Sequence, residues 1–303
     1  GGIGSSRHNE GFTEDYDLPN LDAYCETCAS VGMVYWNQRM NQFTGDSKYI
    51  DVLERSMYNG ALAGVSLAGD RFFYVNPLES NGDHHRQAWY GCACCPSQIS
   101  RFLPSIGNYI YGTSDKALWV NLFIGNTTEV TIDGKKVVMK QETDYPWDGL
   151  VKLTVTSEQP LGKELRIRIP GWCKSYTLSV NGNKVDSTTD KGYTVIKEWK
   201  TGDLIVLNMD MPVEKVSAAP RVRQNTGKRA LPLVYCLEET DNAKDFADLA
   251  LTPTSSFEVK DEPDNLGGIR SIKAISNGQT LHFIPYYAWD NRKAGKMKVW
   301  IDY

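Results

Sequence analysis

The chain has 303 residues and a formal net charge of −4, because 37 Asp and Glu outnumber 33 Lys and Arg. This length predicts two or three domains, and fractions of 41% hydrophobic and 23% charged residues are typical of a globular protein. No Lys/Arg-rich block indicates nucleic acid or an anionic membrane as a partner, and no long apolar run predicts a membrane span. The sequence opens on Gly-Gly-Ile-Gly-Ser without an initiator Met. We therefore expect any signal peptide to lie upstream, which leaves periplasmic and cytoplasmic locations in a bacterium both open.

The pattern of residues 1–112 predicts helices. Apolar residues recur at helical spacing in three stretches, 30–40, 46–57 and 99–110. Pro104 is expected to kink or end the third helix. Because so few helices cannot close a core alone, we expect them to be part of a longer helical domain or to dock onto other elements.

From Thr113 onward the pattern changes to short alternating runs typical of strands. Asp133-Gly134 and Asn181-Gly182 stand between such runs and predict hairpins. Several short strands at this spacing predict an antiparallel sandwich over residues 113–215. A second, smaller β domain is predicted over residues 216–303, so the fold class is α + β and multidomain.

The seven cysteines are unevenly distributed. Two stand alone in apolar, strand-like contexts (Cys173 and Cys236) and are expected to be buried, whereas five form two tight clusters. Within the second cluster, Cys94 and Cys95 are adjacent and cannot form an ordinary disulfide without a strained turn. Both thiolates could bind one metal ion if the chain turns there, as the following Pro96 favours.

A candidate metal site combines these cysteines with a carboxylate. Glu26, Cys28, Cys94 and Cys95 offer three thiolates and one carboxylate, a donor set that suits tetrahedral Zn²⁺. A closed zinc staple that only joins two helices is one interpretation of this set. Cys25-x₂-Cys28 also resembles half of a zinc-binding pair, which keeps Cys25 as an alternative ligand.

These residues resemble glycoside hydrolase family 127, whose members include β-L-arabinofuranosidases. The combination of Glu26-Thr27-Cys28 with Cys94-Cys95-Pro96 is the specific part of the resemblance. Further matching segments extend it over nearly the whole chain, and they are Gly-Gly-Ile-Gly-Ser with Glu10 and Phe12, Leu53-Glu54-Arg55, Phe73-Tyr74, Arg86 with Trp89, Leu233–Glu238 and Ile284–Trp289.

The resemblance implies an (α/α)₆ barrel followed by β-sandwich domains, with residues 1–112 as the C-terminal portion of the barrel. It implies Glu26, Cys28, Cys94 and Cys95 as zinc ligands, with Cys94 also the nucleophile. It implies Glu10 as general acid/base of a retaining glycosidase, which cleaves a plant-type oligosaccharide or glycan that carries a terminal β-L-arabinofuranose or related L-sugar.

Other positions carry weaker expectations. The resemblance places Glu54 and Tyr74 in the sugar pocket, and His8, two residues from Glu10, is expected to orient Glu10 or a substrate hydroxyl. Family members commonly have Asn where this chain has Gln98, whose longer amide is expected to reposition a hydrogen bond to the turn at the cysteine pair. Cys25 and Cys92 add thiols near the ligands that could compete for metal or form a disulfide.

The resemblance also implies that upstream barrel helices are missing from this chain. We therefore expect a missing N-terminal barrel half as partner, and residues 1–303 alone to be inactive. Two other functions remain at this point. One is a non-catalytic carbohydrate-associated module with a structural zinc clamp, and the other is a redox protein using Cys92-x-Cys94, which lacks the expected βαβ context.

Overall fold

The computed structural model describes residues 2–8, 10–158, 160–217, 233–242, 249–276 and 278–301. The chain divides into two compact units, of which unit 1 comprises Gly1–Val34, Arg55–Leu103 and Pro212–Tyr303 and unit 2 comprises Tyr35–Glu54 and Pro104–Met211. Among the described residues, none of the helices has the length and apolar character needed to cross a membrane.

Three α-helices form where the sequence predicts them: α1 (Thr27–Thr44), α2 (Lys48–Arg55) and α3 (Cys94–Phe102). A π-helical turn and a 3₁₀ turn follow α2, at Ser56–Ala61 and Leu62–Gly64. After α3 the chain continues as a 3₁₀ helix that contains Pro104, in agreement with the predicted break.

The expectation that residues 1–112 are mainly helical is wrong for two stretches. Residues 2–8, 10–25 and 65–93 form turns, isolated bridges and one short strand instead of helices. Glycine, proline and asparagine interrupt these stretches and favour turns over helix. The fold is therefore a mixed α/β structure with few helices and mostly β-sheet.

Strands make up most of the regular structure. In chain order the described strands are β1 (Glu79–Ser80), β2 (Tyr111–Thr113), β3 (Ala117–Val120), β4 (Asn126–Ile132), β5 (Lys135–Thr143), β6 (Leu150–Ser157), β7 (Glu164–Arg168), β8 (Tyr176–Val180), β9 (Asn183–Lys184), β10 (Thr188–Asp190), β11 (Tyr193–Ile196), β12 (Leu204–Met209), β13 (Tyr235–Glu238), β14 (Ser256–Glu262), β15 (Ile269–Ser276), β16 (Gln279–Pro285) and β17 (Met297–Lys298).

Unit 2 contains two sheets, ordered β10-β11-β7-β3-β2 and β4-β5-β6-β12-β8-β9. Both predicted hairpins are confirmed, since β4 pairs with β5 and β8 with β9 in antiparallel register. At the turns, Asp133 and Asn181 have φ values of 50° and 50°, and Gly134 and Gly182 have 74° and 80°. These left-handed pairs match the type I′ turns that Asp-Gly and Asn-Gly favour.

One strand pair departs from the predicted antiparallel arrangement. β3 and β7 pair in parallel, with Ala117 opposite Glu164 and Val120 opposite Ile167. Strands β4, β5 and β6 of the other sheet lie between them in the chain, which supplies the long connection that a parallel pair requires. A local alternation pattern contains no information about this return direction.

The described residues of unit 1 form one antiparallel sheet, ordered β1-β17-β13-β16-β15-β14. The segment after β16 packs on the loop that leads to Tyr74. The ring of Trp289 stacks on that of Phe73 with a centroid distance of 4.9 Å, and the guanidinium of Arg86 lies 4.2 Å from the same Phe73 ring. Buried Arg86 also donates hydrogen bonds to the carbonyls of Ala63 and Tyr287. The 72–76 segment is thereby held on one side by the C-terminal part of unit 1.

Candidate metal centre and active site

The predicted ligands lie at the starts of two helices. Glu26 immediately precedes α1 and Cys28 is in its first turn, while Cys94 and Cys95 open α3. A helix N-terminus carries a partial positive charge, which favours thiolates and carboxylates there. Pro96, the third residue of α3, occupies the first turn, where the missing N–H costs no hydrogen bond.

The four predicted donors come together. Their donor atoms all lie within 4.8 Å of one another. The Sγ of Cys95 is 3.4 Å from Cys28 Sγ, 3.8 Å from Cys94 Sγ and 3.7 Å from Glu26 Oε1. Glu26 and Cys28 are separated from the cysteine pair by more than sixty residues, so this convergence is a tertiary feature. The group could hold a metal ion.

The electrostatics of this cluster favour a bound cation. Burial raises the pKa of Glu26 and of the Cys94 thiol, and a hydrogen bond with Cys28, followed by burial, raises that of Cys95. Among these four groups, only Cys28 has a lowered pKa, through its hydrogen bond with Cys95. Four acidic groups at these distances cannot all ionise without a compensating positive charge. A divalent cation among them would supply it, because it deprotonates coordinated thiols.

The carboxylate of Glu10 accepts hydrogen bonds from two tyrosine hydroxyls. Its Oε1 accepts hydrogen bonds from the hydroxyl of Tyr24 at 3.0 Å and from that of Tyr74 at 3.5 Å. Interaction with the Cys94 side chain, followed by burial, raises the pKa of Tyr74. The carbonyl of Tyr74 lies 3.9 Å from the Sγ of Cys95, so this one residue contacts both Glu10 and the cysteine pair.

Sequence reasoning missed Tyr24. It is buried, with 5% of its surface exposed, and it stacks obliquely on Tyr74 with a centroid distance of 6.3 Å. Its position two residues before Glu26 is the only signal in the sequence that could have drawn attention to it. Its contact with Glu10 spans fourteen residues and depends on the tertiary fold.

Two predicted pocket residues have other contacts. Glu54 is buried and forms an ion pair with Arg168, which also binds Asp51 Oδ1 at 2.8 Å. His8 is exposed, and its backbone N–H donates to Ser6 Oγ at 3.1 Å. Sugar contacts of Glu54, Tyr74 and His8 stay predictions.

The additional thiols lie outside the four-donor group. Cys25 is buried, and burial raises its pKa to about 11, whereas Cys92 is exposed. All seven cysteines are free thiols, including buried Cys236 and half-buried Cys173. Gln98 accepts a hydrogen bond from Arg101 at 2.6 Å.

Comparison with known proteins defines the class as glycoside hydrolases. Three family models match consecutive parts of the chain: "Beta-L-arabinofuranosidase, GH127 catalytic domain" over residues 1–108, "Beta-L-arabinofuranosidase, GH127 middle domain" over residues 117–211, and "Glycoside hydrolase family 127 C-terminal domain" over residues 213–302. Together these matches cover nearly all of the 303 residues. The chain belongs to glycoside hydrolase family 127.

Individual relatives agree with this assignment. The non-reducing end β-L-arabinofuranosidase of Bifidobacterium longum subsp. longum is 36% identical over 346 residues, covering 99% of this chain and 52% of the relative. The structure of a family 127 β-L-arabinofuranosidase from Geobacillus stearothermophilus is 42% identical, with a TM-score of 0.93, and covers 100% of this chain and 53% of that one. A further family 127 β-arabinofuranosidase structure is 40% identical, with a TM-score of 0.94 and coverage of 99% and 53%. The chain therefore spans about half the length of these relatives.

Proposed function

We propose that this chain carries the zinc ligands, the nucleophile and the general acid/base of a retaining glycoside hydrolase that releases terminal β-L-arabinofuranose or a related L-sugar. The observation that carries the proposal is the position of Tyr74, whose hydroxyl donates to Glu10 Oε1 at 3.5 Å and whose carbonyl lies 3.9 Å from the Sγ of Cys95, the residue next to Cys94. One residue therefore lies against both the carboxyl group and the cysteine pair, as an acid/base and a nucleophile that act on the same glycosidic bond require. A purely structural clamp has no use for Glu10 in this place.

The donor set fits zinc. Zinc–sulfur bonds of about 2.3 Å in a tetrahedral site place neighbouring sulfurs about 3.8 Å apart. The Cys28–Cys95 and Cys94–Cys95 separations of 3.4 and 3.8 Å are close to this value. When bound, zinc would keep the cysteines ionised at neutral pH, where a free thiol is mostly protonated. Glu26, Cys28, Cys94 and Cys95 would hold it.

The chain's own residues account for both steps of the reaction. The Cys94 sulfur attacks the anomeric carbon and the bond to the leaving oxygen breaks, while Glu10 gives its proton to that oxygen. Glu10, now ionised, then takes a proton from water, whose oxygen displaces the sulfur and releases the sugar. The hydroxyls of Tyr24 and Tyr74 orient the Glu10 carboxyl during both proton transfers. Glu54 and His8 are proposed to contact the sugar with Tyr74.

The domain organisation belongs to the same proposal. We assign residues 1–112 to the C-terminal portion of an (α/α)₆ barrel, 113–215 to a β-sandwich and 216–303 to a second, smaller β-sandwich. The ranges of the three matching family models support these boundaries. Because the relatives are about twice as long, we propose that a barrel half like theirs completes the sugar pocket. The substrate is a plant-type oligosaccharide or glycan.

A structural zinc clamp in a non-catalytic carbohydrate-associated module is the alternative. It is favoured by one observation, since four protein donors fill a tetrahedral site without an open position. The catalytic function requires Glu10 as acid/base, whereas the structural clamp does not use it. A Glu10 variant therefore distinguishes the two functions.

The test uses this chain together with the missing N-terminal barrel half. It measures zinc content and the hydrolysis of an aryl β-L-arabinofuranoside. Glu10→Gln is expected to abolish turnover and leave zinc content unchanged, and Cys94→Ser to abolish turnover with at most partial zinc loss. Cys236→Ser, at a buried cysteine outside the cluster, is the matched control and should retain both. Normal hydrolysis by both site variants would contradict the catalytic assignment. Robust turnover by residues 1–303 alone would contradict the need for a barrel half.

A further inference from the structure

The turn that carries Glu26 and Cys28 depends on an unusual backbone conformation. Cys25, the residue before Glu26, has a φ of 40°, in the left-handed region that non-glycine residues rarely adopt. Such a conformation persists only where surrounding contacts enforce it. The Nδ2 of Asn76 donates a 2.9 Å hydrogen bond to the Cys25 carbonyl and holds this peptide in place.

Thr27 lies between the two metal-binding residues and is fully buried. Its hydroxyl donates to the Phe73 carbonyl at 2.9 Å and accepts from Asn76 Nδ2 at 2.9 Å. Its backbone N–H donates to the carbonyl of Tyr74 at 3.0 Å. One residue therefore makes three hydrogen bonds to the neighbouring segment, residues 73–76.

Asn76 completes the connection from the other side. It is 2% exposed, and its backbone N–H donates to the Tyr24 carbonyl at 3.2 Å. Glu26 and Val75 form an antiparallel bridge between the same two segments. Neither Asn76 nor Thr27 supplies an atom to the four-donor cluster, so their effect on that cluster acts through position.

The second segment reaches the rest of the site through Tyr74. Its carbonyl, which accepts from Thr27, is 3.9 Å from Cys95 Sγ, and its hydroxyl contacts Glu10. A shift between the two segments would therefore move Glu26 and Cys28 relative to Cys95 and Glu10 together. A tetrahedral site tolerates only small changes in ligand separation.

The side chain of Thr27 packs tightly against Gly64. A Cβ added to Gly64 would lie 2.4 Å from Thr27 Cγ2 and 2.8 Å from its Oγ1. An alanine at this position would force Thr27 or the Gly64 backbone, whose carbonyl accepts from the Phe73 N–H at 3.1 Å, to shift without removing any hydrogen-bonding group. Gly64 therefore offers a second, independent way to disturb the same contact.

We propose that Thr27 and Asn76 are positioning residues of the metal centre. Their hydrogen bonds hold residues 25–28 against residues 73–76 and so set the separation of the ligands. This inference rests on the proposed zinc site. It predicts that metal affinity depends on the Thr27 hydroxyl even though no metal bond passes through it. Loss of a group that orients a ligand typically weakens metal binding 10–100-fold.

The test is zinc affinity measured by competition with a chromophoric chelator. Thr27→Val keeps the shape and removes the hydroxyl, and we expect zinc to bind about 10–100-fold more weakly. Thr27→Ser restores a hydroxyl and should recover most of the affinity. The matched control is Thr44→Val at the other end of α1, where the hydroxyl donates to the Met40 carbonyl at 2.7 Å and affinity should not change.

Gly64→Ala provides the second variant, for the case in which Thr27→Val does not fold. It is expected to weaken zinc binding, and the double variant Gly64→Ala/Thr27→Ser, which removes the clashing methyl group, should recover part of the loss. Wild-type affinity in both Thr27→Val and Gly64→Ala would overturn the positioning role while leaving the zinc site intact. Failure of the wild-type protein to bind zinc would instead overturn the proposed function.

Discussion

The hydroxyl of Tyr24 donates a 3.0 Å hydrogen bond to Oε1 of Glu10. The hydroxyl of Tyr74 contacts the same oxygen at 3.5 Å. Burial and the bond to Glu10 raise the pKa of Tyr24 well above its ordinary value. Tyr24 therefore keeps its proton at neutral pH and acts as a permanent hydrogen-bond donor to the carboxyl group that we assign as the acid/base.

Removal of this donor by Tyr24→Phe is expected to lower kcat about 10-fold with little change in KM. The reason is that the ring still packs, but the Glu10 carboxyl loses the bond that orients it for proton transfer. Steady-state kinetics on an aryl β-L-arabinofuranoside measure both constants. Tyr176→Phe, on a strand of unit 2, is the control and should leave them unchanged. An unaltered kcat in Tyr24→Phe would show that Tyr74 alone orients Glu10.

Metal removal is expected to change thiol reactivity selectively. In the metal-bound protein, Cys28 and Cys94 should react slowly with a colorimetric disulfide reagent, because coordinated sulfur is less available. After chelation both become reactive, and more so as the pH rises, since burial raises the pKa of Cys94. Exposed Cys92 is the internal control and should react in either state. Equal reactivity of Cys94 with and without chelator would argue against its coordination.

Glu54→Gln tests the buried ion pair of unit 2. Arg168 has no exposed side-chain surface, and Glu54 only 2%. Replacing Glu54 leaves Arg168 paired with Asp51, and we expect a loss of about 3 kcal/mol in the free energy of unfolding. Urea denaturation measures this loss. Glu129→Gln, in an exposed pair with Lys136, should change stability by less than about 1 kcal/mol.

The same variant separates a structural role of Glu54 from a role in the sugar pocket. A raised KM at full folding, without a stability loss, would assign Glu54 to the sugar. A stability loss with unchanged kinetic constants in the folded fraction would assign it to Arg168 alone.

A pH-dependent contribution to stability is expected from His282 in the C-terminal sheet. Its ring lies 3.4 Å from Asp241 and 3.0 Å from Glu262, and the hydrogen bond to Asp241 raises its pKa against the effect of burial. Burial would raise the pKa of both carboxyl groups, but hydrogen bonds lower each to about 2, through His282 and Arg292 for Asp241, and through Asn265, Ser271 and His282 for Glu262.

The raised pKa of His282 and the lowered pKa values of Asp241 and Glu262 make their contributions to stability change with pH in opposite directions. The histidine contribution is complete below pH 6.5 and is lost as the pH rises through its raised pKa, whereas the carboxylate contribution is lost as the pH falls toward 2. His282→Gln is therefore expected to lower the melting temperature by about 2 °C at pH 6, equivalent to about 1 kcal/mol, and by less at pH 9. Melting curves at both pH values provide the measurement. A loss of the same size at the two values would exclude the protonated histidine as its cause.

Local sequence was sufficient for most elements of this fold. Strands β11 and β12 lie in the region after Thr113 where alternation predicts strands, and Asp133-Gly134 and Asn181-Gly182 form the predicted turns. Alternation and turn preference act over a few residues, so a short window contains them. The stretch 65–93 differs from the predicted helix because its apolar residues follow neither the helical nor the strand period. Its conformation depends on bridges between distant segments.

The sequence by itself determined the chemistry available to this protein: a carboxylate and three thiols of metal-binding type, and a separate carboxylate at Glu10. Only the tertiary structure decided which groups meet, by bringing Tyr24 to Glu10, Arg168 to Glu54 and the 94–95 pair to Cys28. The physical reason is that side-chain types are fixed by the sequence, whereas contacts across tens to hundreds of residues are set by packing. The hydrogen bond between Thr27 and Asn76 is also a contact that only the tertiary structure decides. Neither residue belongs to the four-donor cluster, and only their burial and shared hydrogen bond reveal the connection.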